Sequence, residues 1–211
     1  MKKVIFILFF LSAVSVYAQN EQQTLSNFSF NLNFSFGNSL LNTNEFNDLE
    51  GSISVAHIGL SYDLLGEDQN ANFFRFSLGL EGATYNTNVF SGFEQSSLRA
   101  EYIRVPLKFE AVYRLGKGEN EIFGNTKVVA GIGGFMNYVY KYELSNLQST
   151  TELDDVDIGI GFLINLCLEQ DVSRRFSIVL GLDYSLMGVK NESNHLNFNT
   201  MAFYFGTRYR L

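Results

Sequence analysis

This sequence is short of proline, cysteine and positive charge, and each shortage excludes something. One Pro in 211 residues leaves no Pro-rich linker between domains. A single Cys, Cys167, rules out an intramolecular disulfide and any Cys-based metal cluster. Fifteen Lys and Arg against 22 Asp and Glu give a net charge of −7. That is the opposite of the basic stripe a nucleic-acid partner requires. Beyond residue 18, no apolar run approaches the roughly 20 residues of a membrane helix.

What is present begins with residues 1–18, which have the three parts of an export signal. Lys2 and Lys3 form a positive start, residues 4–14 are apolar, and Val16, Tyr17 and Ala18 precede a polar stretch. Cleavage is expected after Ala18, leaving residues 19–211 as one domain. Losing two Lys would take the net charge from −7 to −9. The apolar run is too short to span about 30 Å of hydrocarbon as a helix.

The rest alternates. In residues 28–36, Phe28, Phe30, Leu32, Phe34 and Phe36 oppose Ser29, Asn31, Asn33 and Ser35. At the other end, Met201, Phe203, Phe205, Tyr209 and Leu211 oppose Ala202, Gly206, Arg208 and Arg210. A dyad repeat of bulky apolar against small or charged residues is a strand signal. It recurs at about 54–65, 72–85, 98–115, 127–142, 156–169 and 174–188, which makes eight strands. Connections 37–53, 86–97, 143–155 and 189–197 are long and polar, whereas 66–71, 116–125 and 170–173 are shorter. An even count of strands with alternating short and long connections predicts an all-β fold. The expected form is an eight-stranded antiparallel up-and-down transmembrane β-barrel in a bacterial outer membrane, with its N-terminus in the periplasm.

Volume decides which face looks outward. An eight-stranded barrel has an interior just wide enough for its own side chains. The Phe, Leu, Ile and Tyr faces are too bulky for it, so they are expected to meet lipid. Tyr62, Tyr113 and Tyr209 at the periplasmic ends, with Tyr140, Tyr142 and Tyr184 at the extracellular ends, would then form two aromatic belts. The opposite face carries Arg75, Glu81, Arg104, Lys108, Glu110, Arg114, Asp157, Glu169, Arg175, Asp183, Arg208 and Arg210. Charges inside a narrow barrel must pair to survive desolvation. They are expected to plug the lumen; the other reading is a narrow pore for ions or small solutes.

Residues 102–109, YIRVPLKF, resemble the Tyr-Leu-x-Ile-Pro-Leu-x-x-Lys strand of the small outer-membrane β-barrel family common in Bacteroidetes, often labelled porin-family. Residues 129–135 and 157–162 resemble its following glycine-rich strands. The resemblance implies the same barrel, no catalytic residues and no cofactor. A strand Pro removes a ladder hydrogen bond, so a bulge or locally broken pairing is expected near Pro106. The C-terminus resembles an assembly signal for the barrel-insertion machinery, but ends in Leu211 rather than an aromatic residue.

Signals for chemistry are sparse. His195 beside Ser193, with Asp154 or Asp155 across the barrel, could be posed as a rim enzyme acting on lipid or peptide. A solvated loop histidine is the plainer account. Glu152, Asp154, Asp155 and Asp157 could hold Ca²⁺, but lack an EF-hand spacing. The resulting expectation is a structural or interaction barrel without catalysis, present as a single copy. Its partners would be outer-membrane lipid and lipopolysaccharide, the assembly machinery, and an extracellular ligand at the loops.

Overall fold

The structure, a computed structural model, describes residues 26–42, 49–64, 72–91, 94–115, 126–145, 150–152, 157–190 and 195–211. The export signal, Asp154, Asp155 and Ser193 lie outside them. The strands are β1 (Phe28–Asn42), β2 (Leu49–Leu64), β3 (Phe73–Ser91), β4 (Glu94–Arg114), β5 (Thr126–Ser145), β6 (Thr150–Glu152), β7 (Asp157–Asp171), β8 (Phe176–Lys190) and β9 (His195–Arg210). All pairings are antiparallel. The order β4-β3-β2-β1-β9-β8-β7-β5 closes through β4–β5. β6 adds three rungs to the top of β5, above β7, so the closed wall has eight strands.

The seam between the chain ends is zipped by β1 and β9, from Ser29 opposite Arg210 to Asn42 opposite Asn197. Because side chains alternate across a strand, this register sends Phe34 and Phe205 out and Ser35 and Tyr204 in. The same sorting runs round the barrel. Phe36, Leu60, Leu78, Leu107, Ile160 and Phe203 are each more than half exposed on the outer wall.

The strands run further than their apolar outer faces suggested. The stretches expected as long polar loops are partly strand: β1 continues to Asn42, β2 starts at Leu49, and β3 and β4 pair up to Ser91 opposite Glu94. There the alternation changes sense. Asn38, Ser52, Ser54 and Asn86 face outward, while Leu41, Ile53, Val55 and Tyr85 face inward and are buried. Below this level the outer wall is apolar and the lumen holds the charged groups beside a buried Phe73–Val112–Val129–Cys167–Val179–Tyr204 cluster; above it, Asn and Ser enter the outer wall and large apolar side chains turn inward.

The one Pro is accommodated without a bulge. Pairing of β3 with β4 skips Gly79 and Leu80 opposite Val105 and Pro106, and resumes in the same register at Glu81–Arg104. Pairing of β4 with β5 runs unbroken through Pro106–Phe135. The bulge of that seam lies higher, where Glu101 faces Lys141 but Tyr102 faces Val139. Tyr140 is the extra residue.

Candidate functional site: the lumen

Three layers fill the barrel. The lowest is an ion-pair lattice centred on Glu169, which is fully buried. Arg75 donates from Nη1 to Glu169 Oε2 at 2.9 Å and from Nε to Asp63 Oδ1 at 2.5 Å. Lys127 Nζ donates to Glu169 Oε1 at 3.0 Å and to Asp171 Oδ1 at 2.7 Å. Arg208 donates to the same Glu169 oxygen as Arg75, and its Nε reaches Asn31 Oδ1 at 2.7 Å. Glu110 accepts from Ser77 and Asn165, each at 3.0 Å. Three cations surround one carboxylate, each with a second acceptor, so the lattice pairs its charges as buried ions must, although Arg75 Nη2 and Asp63 Oδ2 make no hydrogen bond among the described residues.

The middle layer is smaller. Glu81 accepts from Arg104 and shares a 2.8 Å hydrogen bond with His57 Nδ1. Arg104 also reaches Ser185 Oγ at 3.3 Å and lies 5.1 Å from the centroid of the Phe135 ring. Lys108 and Asp183 stand 4.0 Å apart. A Cβ on Gly79 would come within 2.9 Å of His57 Nδ1, so the bare glycine makes room for the imidazole. Between the two layers a cavity of about 20 Å³ is lined by Asn33, His57, Lys108, Cys167 and Tyr204 among others. That is room for about one or two waters.

The upper layer is apolar and did not figure among the expected lumen residues. Leu41, Tyr85, Leu98, Tyr102, Val139, Met187 and Phe198 are all buried there. Phe198 packs edge-on against Tyr85, with centroids 5.4 Å apart, and lies 5.9 Å from Tyr102. The Tyr85 hydroxyl donates to Leu49 O at 2.8 Å, which folds the top of β2 across the ring. Gly51 permits that approach, since a Cβ there would stand 2.5 Å from the Tyr85 ring.

Of the expected lumen charges, Arg75, Glu81, Arg104, Lys108, Glu110, Glu169, Asp183 and Arg208 are placed inside and brought together in the lower two layers. Arg210 sits at the lower mouth, 3.7 Å from Asp63 Oδ2. Arg114 stands at the foot of β4 with its guanidinium 5.7 Å from the Phe73 ring centroid. Arg175 is not in the lumen. It belongs to the turn before β8, where its backbone oxygen accepts from Arg210 N and its Nη1 reaches the Tyr209 hydroxyl at 3.5 Å. The backbone of Asp157 pairs with Val139; its side chain lies outside the described set. Asp63, Lys127 and Asp171 complete the lattice and were missed, although the alternation already put Asp63 and Lys127 on the polar face.

Among the belt tyrosines, Tyr62, Tyr113, Tyr140 and Tyr184 are exposed on the outer wall, and Tyr209 is half-buried. Tyr184 falls near the middle of β8, because that strand continues to Lys190. Tyr142 faces the other way. The extra residue at Tyr140 reverses the parity of β5, so Tyr142 pairs with buried Ala100 and packs on the upper core.

His57 is held by a carboxylate, and no described Ser, Thr or Cys completes a nucleophile–base pair with it. No group of three or more His, Cys, Asp or Glu among the described residues could hold a metal. The side chains of His195 and Glu152 lie outside the described set.

No family model matches the chain, and no curated protein matches it. Solved structures resemble it in outline. Neisserial surface protein A is 13% identical, with 90% of this chain and 100% of that one covered and a TM-score of 0.48. OprG of Pseudomonas aeruginosa is 10% identical over 90% and 98%, with a TM-score of 0.47. Ail of Yersinia pestis is 11% identical over 89% and 100%, with a TM-score of 0.35. Likenesses this distant carry no argument about activity.

Proposed function

We propose that this chain is an integral outer-membrane β-barrel whose lumen is sealed. On this reading it is a structural or interaction protein that carries its upper wall and connections to the cell exterior, without catalysis. The observation that carries this is the inversion of alternation along the strands. The lower wall exposes Phe, Leu and Ile on every barrel strand, a surface stable only against lipid. The upper wall exposes Asn and Ser over an apolar core, which suits water. A barrel crossing a membrane and rising beyond it needs both patterns in that order.

The sealed interior argues against the narrow-pore reading. An ion crossing the barrel would have to part the Glu169 lattice and then a close-packed Tyr85–Tyr102–Phe198 layer. Lipid and lipopolysaccharide at the wall, and an extracellular ligand at the upper rim, are the partners this reading calls for. Reconstitution tests the membrane assignment. The chain should fold into liposomes and keep its lower outer wall shielded from water-soluble radical labelling while Asn38 and Asn86 label. Even labelling over the whole wall would reject it.

A further inference from the structure

The bulge at Tyr140 does more than turn Tyr142 inward. It sets Lys141 and Glu143 on the outer wall beside Glu101 and Arg99 of β4. Across the two strands Glu101 opposes Lys141, and Arg99 opposes Glu143. Along each strand, Arg99 bridges Glu101, and Lys141 Nζ reaches Glu143 at 2.6 Å. The Tyr140 hydroxyl donates to Glu101 at 2.9 Å and holds it upright. The result is a square with charges of alternating sign. The Arg99 and Lys141 side chains are 50% and 38% exposed. Elsewhere among the described residues the first polar rungs are neutral, as at Asn38, Ser54, Asn86 and Gly188.

We propose that this square is the specifying contact of a two-fold dimer of the chain, formed wall to wall through β4 and β5. The proposal rests on the membrane reading above, because a bilayer holds all copies with barrel axes aligned. A two-fold axis along the membrane normal then brings β4 of one copy against β5 of the next at about the same level. Glu101 meets the second copy's Lys141, and Arg99 meets the second copy's Glu143. Every contact is between opposite charges, and each is made twice. A square of alternating sign on two adjacent strands is self-complementary under that operation, as an isologous interface requires.

The wall below is apolar, with Leu107, Phe109, Ile132 and Met136 exposed on the same two strands. Ala111 and Ala130 oppose each other across the seam, and Gly134 sits higher on β5, all three exposed. These small positions are where two such walls can approach most closely, between the larger side chains. The charges select partner and register, as charged pairs do at interfaces.

The test uses full-length chains, dye-labelled at the N-terminus and diluted in liposomes, with energy transfer between copies as the readout. Wild type should transfer. R99E/K141E, with a wholly acidic sector, should lose at least tenfold in association. The fourfold inversion R99E/E101R/K141E/E143R should transfer with itself and not with wild type. Heat-shifted gel mobility must stay normal in all three, so that loss of pairing is not loss of the barrel. A monomeric wild type, unchanged transfer in R99E/K141E, or pairing of the inverted chain with wild type would each overturn the proposal. So would a monomeric wild type that retains phosphate-bearing lipid through this sector. None of these outcomes would touch the membrane assignment, which the labelling experiment decides.

Discussion

Glu169 is the residue whose loss the lumen should feel most. It is fully buried and faces Arg75, Lys127 and Arg208. Removing one partner of a buried ion pair typically costs about 3–5 kcal/mol, because the other charge stays buried and uncompensated. Glu169→Gln keeps the shape and deletes the charge, so it should lower unfolding free energy by about that amount in urea titrations of liposome-inserted protein. A loss under about 1 kcal/mol would mean that the lattice relaxes or admits water more freely than its geometry indicates. A smaller effect of another kind is expected at Gly79, where a methyl would meet the His57 ring. Gly79→Ala should cost about 1–3 kcal/mol by overpacking. Pairing it with His57→Ala should restore most of the loss, a coupling that a double-mutant cycle reads directly.

Elements show where sequence reasoning stopped short. The eight strands were legible because outward-facing rungs repeat bulky residues every second position. The upper strand ends were not, because there the outward positions turn polar and the bulky residues move to the inward parity. At Leu41, Ile53 and Val189 the bulky residue sits on the inward parity, so these strand ends read as polar loops. Tyr142 faces inward for a related reason: one residue inserted at Tyr140 of the same strand reverses the parity, and an insertion shows only against the register of the partner strand. Arg175 was misplaced because its alternation continues past the strand into the turn. The Pro106 region gives a test at this scale. Pairing is interrupted on the β3 side only, across Gly79 and Leu80. Pro106→Val should allow the missing rungs to close and raise stability by about 0.5–1.5 kcal/mol, the net worth of a hydrogen bond. A destabilised Pro106→Val would show that the gap is held by packing rather than by the missing N–H. On the upper core, Phe198→Ala should cost about 3–5 kcal/mol, the loss expected where a large ring touches Tyr85 and Tyr102.

At the scale of the whole molecule, the proposed membrane setting gives one barrel wall two solvents. Its lower part puts apolar groups outward and pairs the inner charges with one another. Its upper part buries an apolar core as a water-soluble barrel would. The two linings seal the lumen in series by different means, so loss of either should leave the other closed. Phe198→Ala and Glu169→Gln are each expected to destabilise the barrel without opening it. The most direct measurement of this sealing is single-channel recording of the purified wild-type protein in planar bilayers. A sealed lumen predicts a baseline without steady steps across applied voltages, alongside gel-shift evidence that the barrel has inserted. Stable ohmic steps of uniform size would contradict it, because they would require a continuous water path through layers that the structure fills.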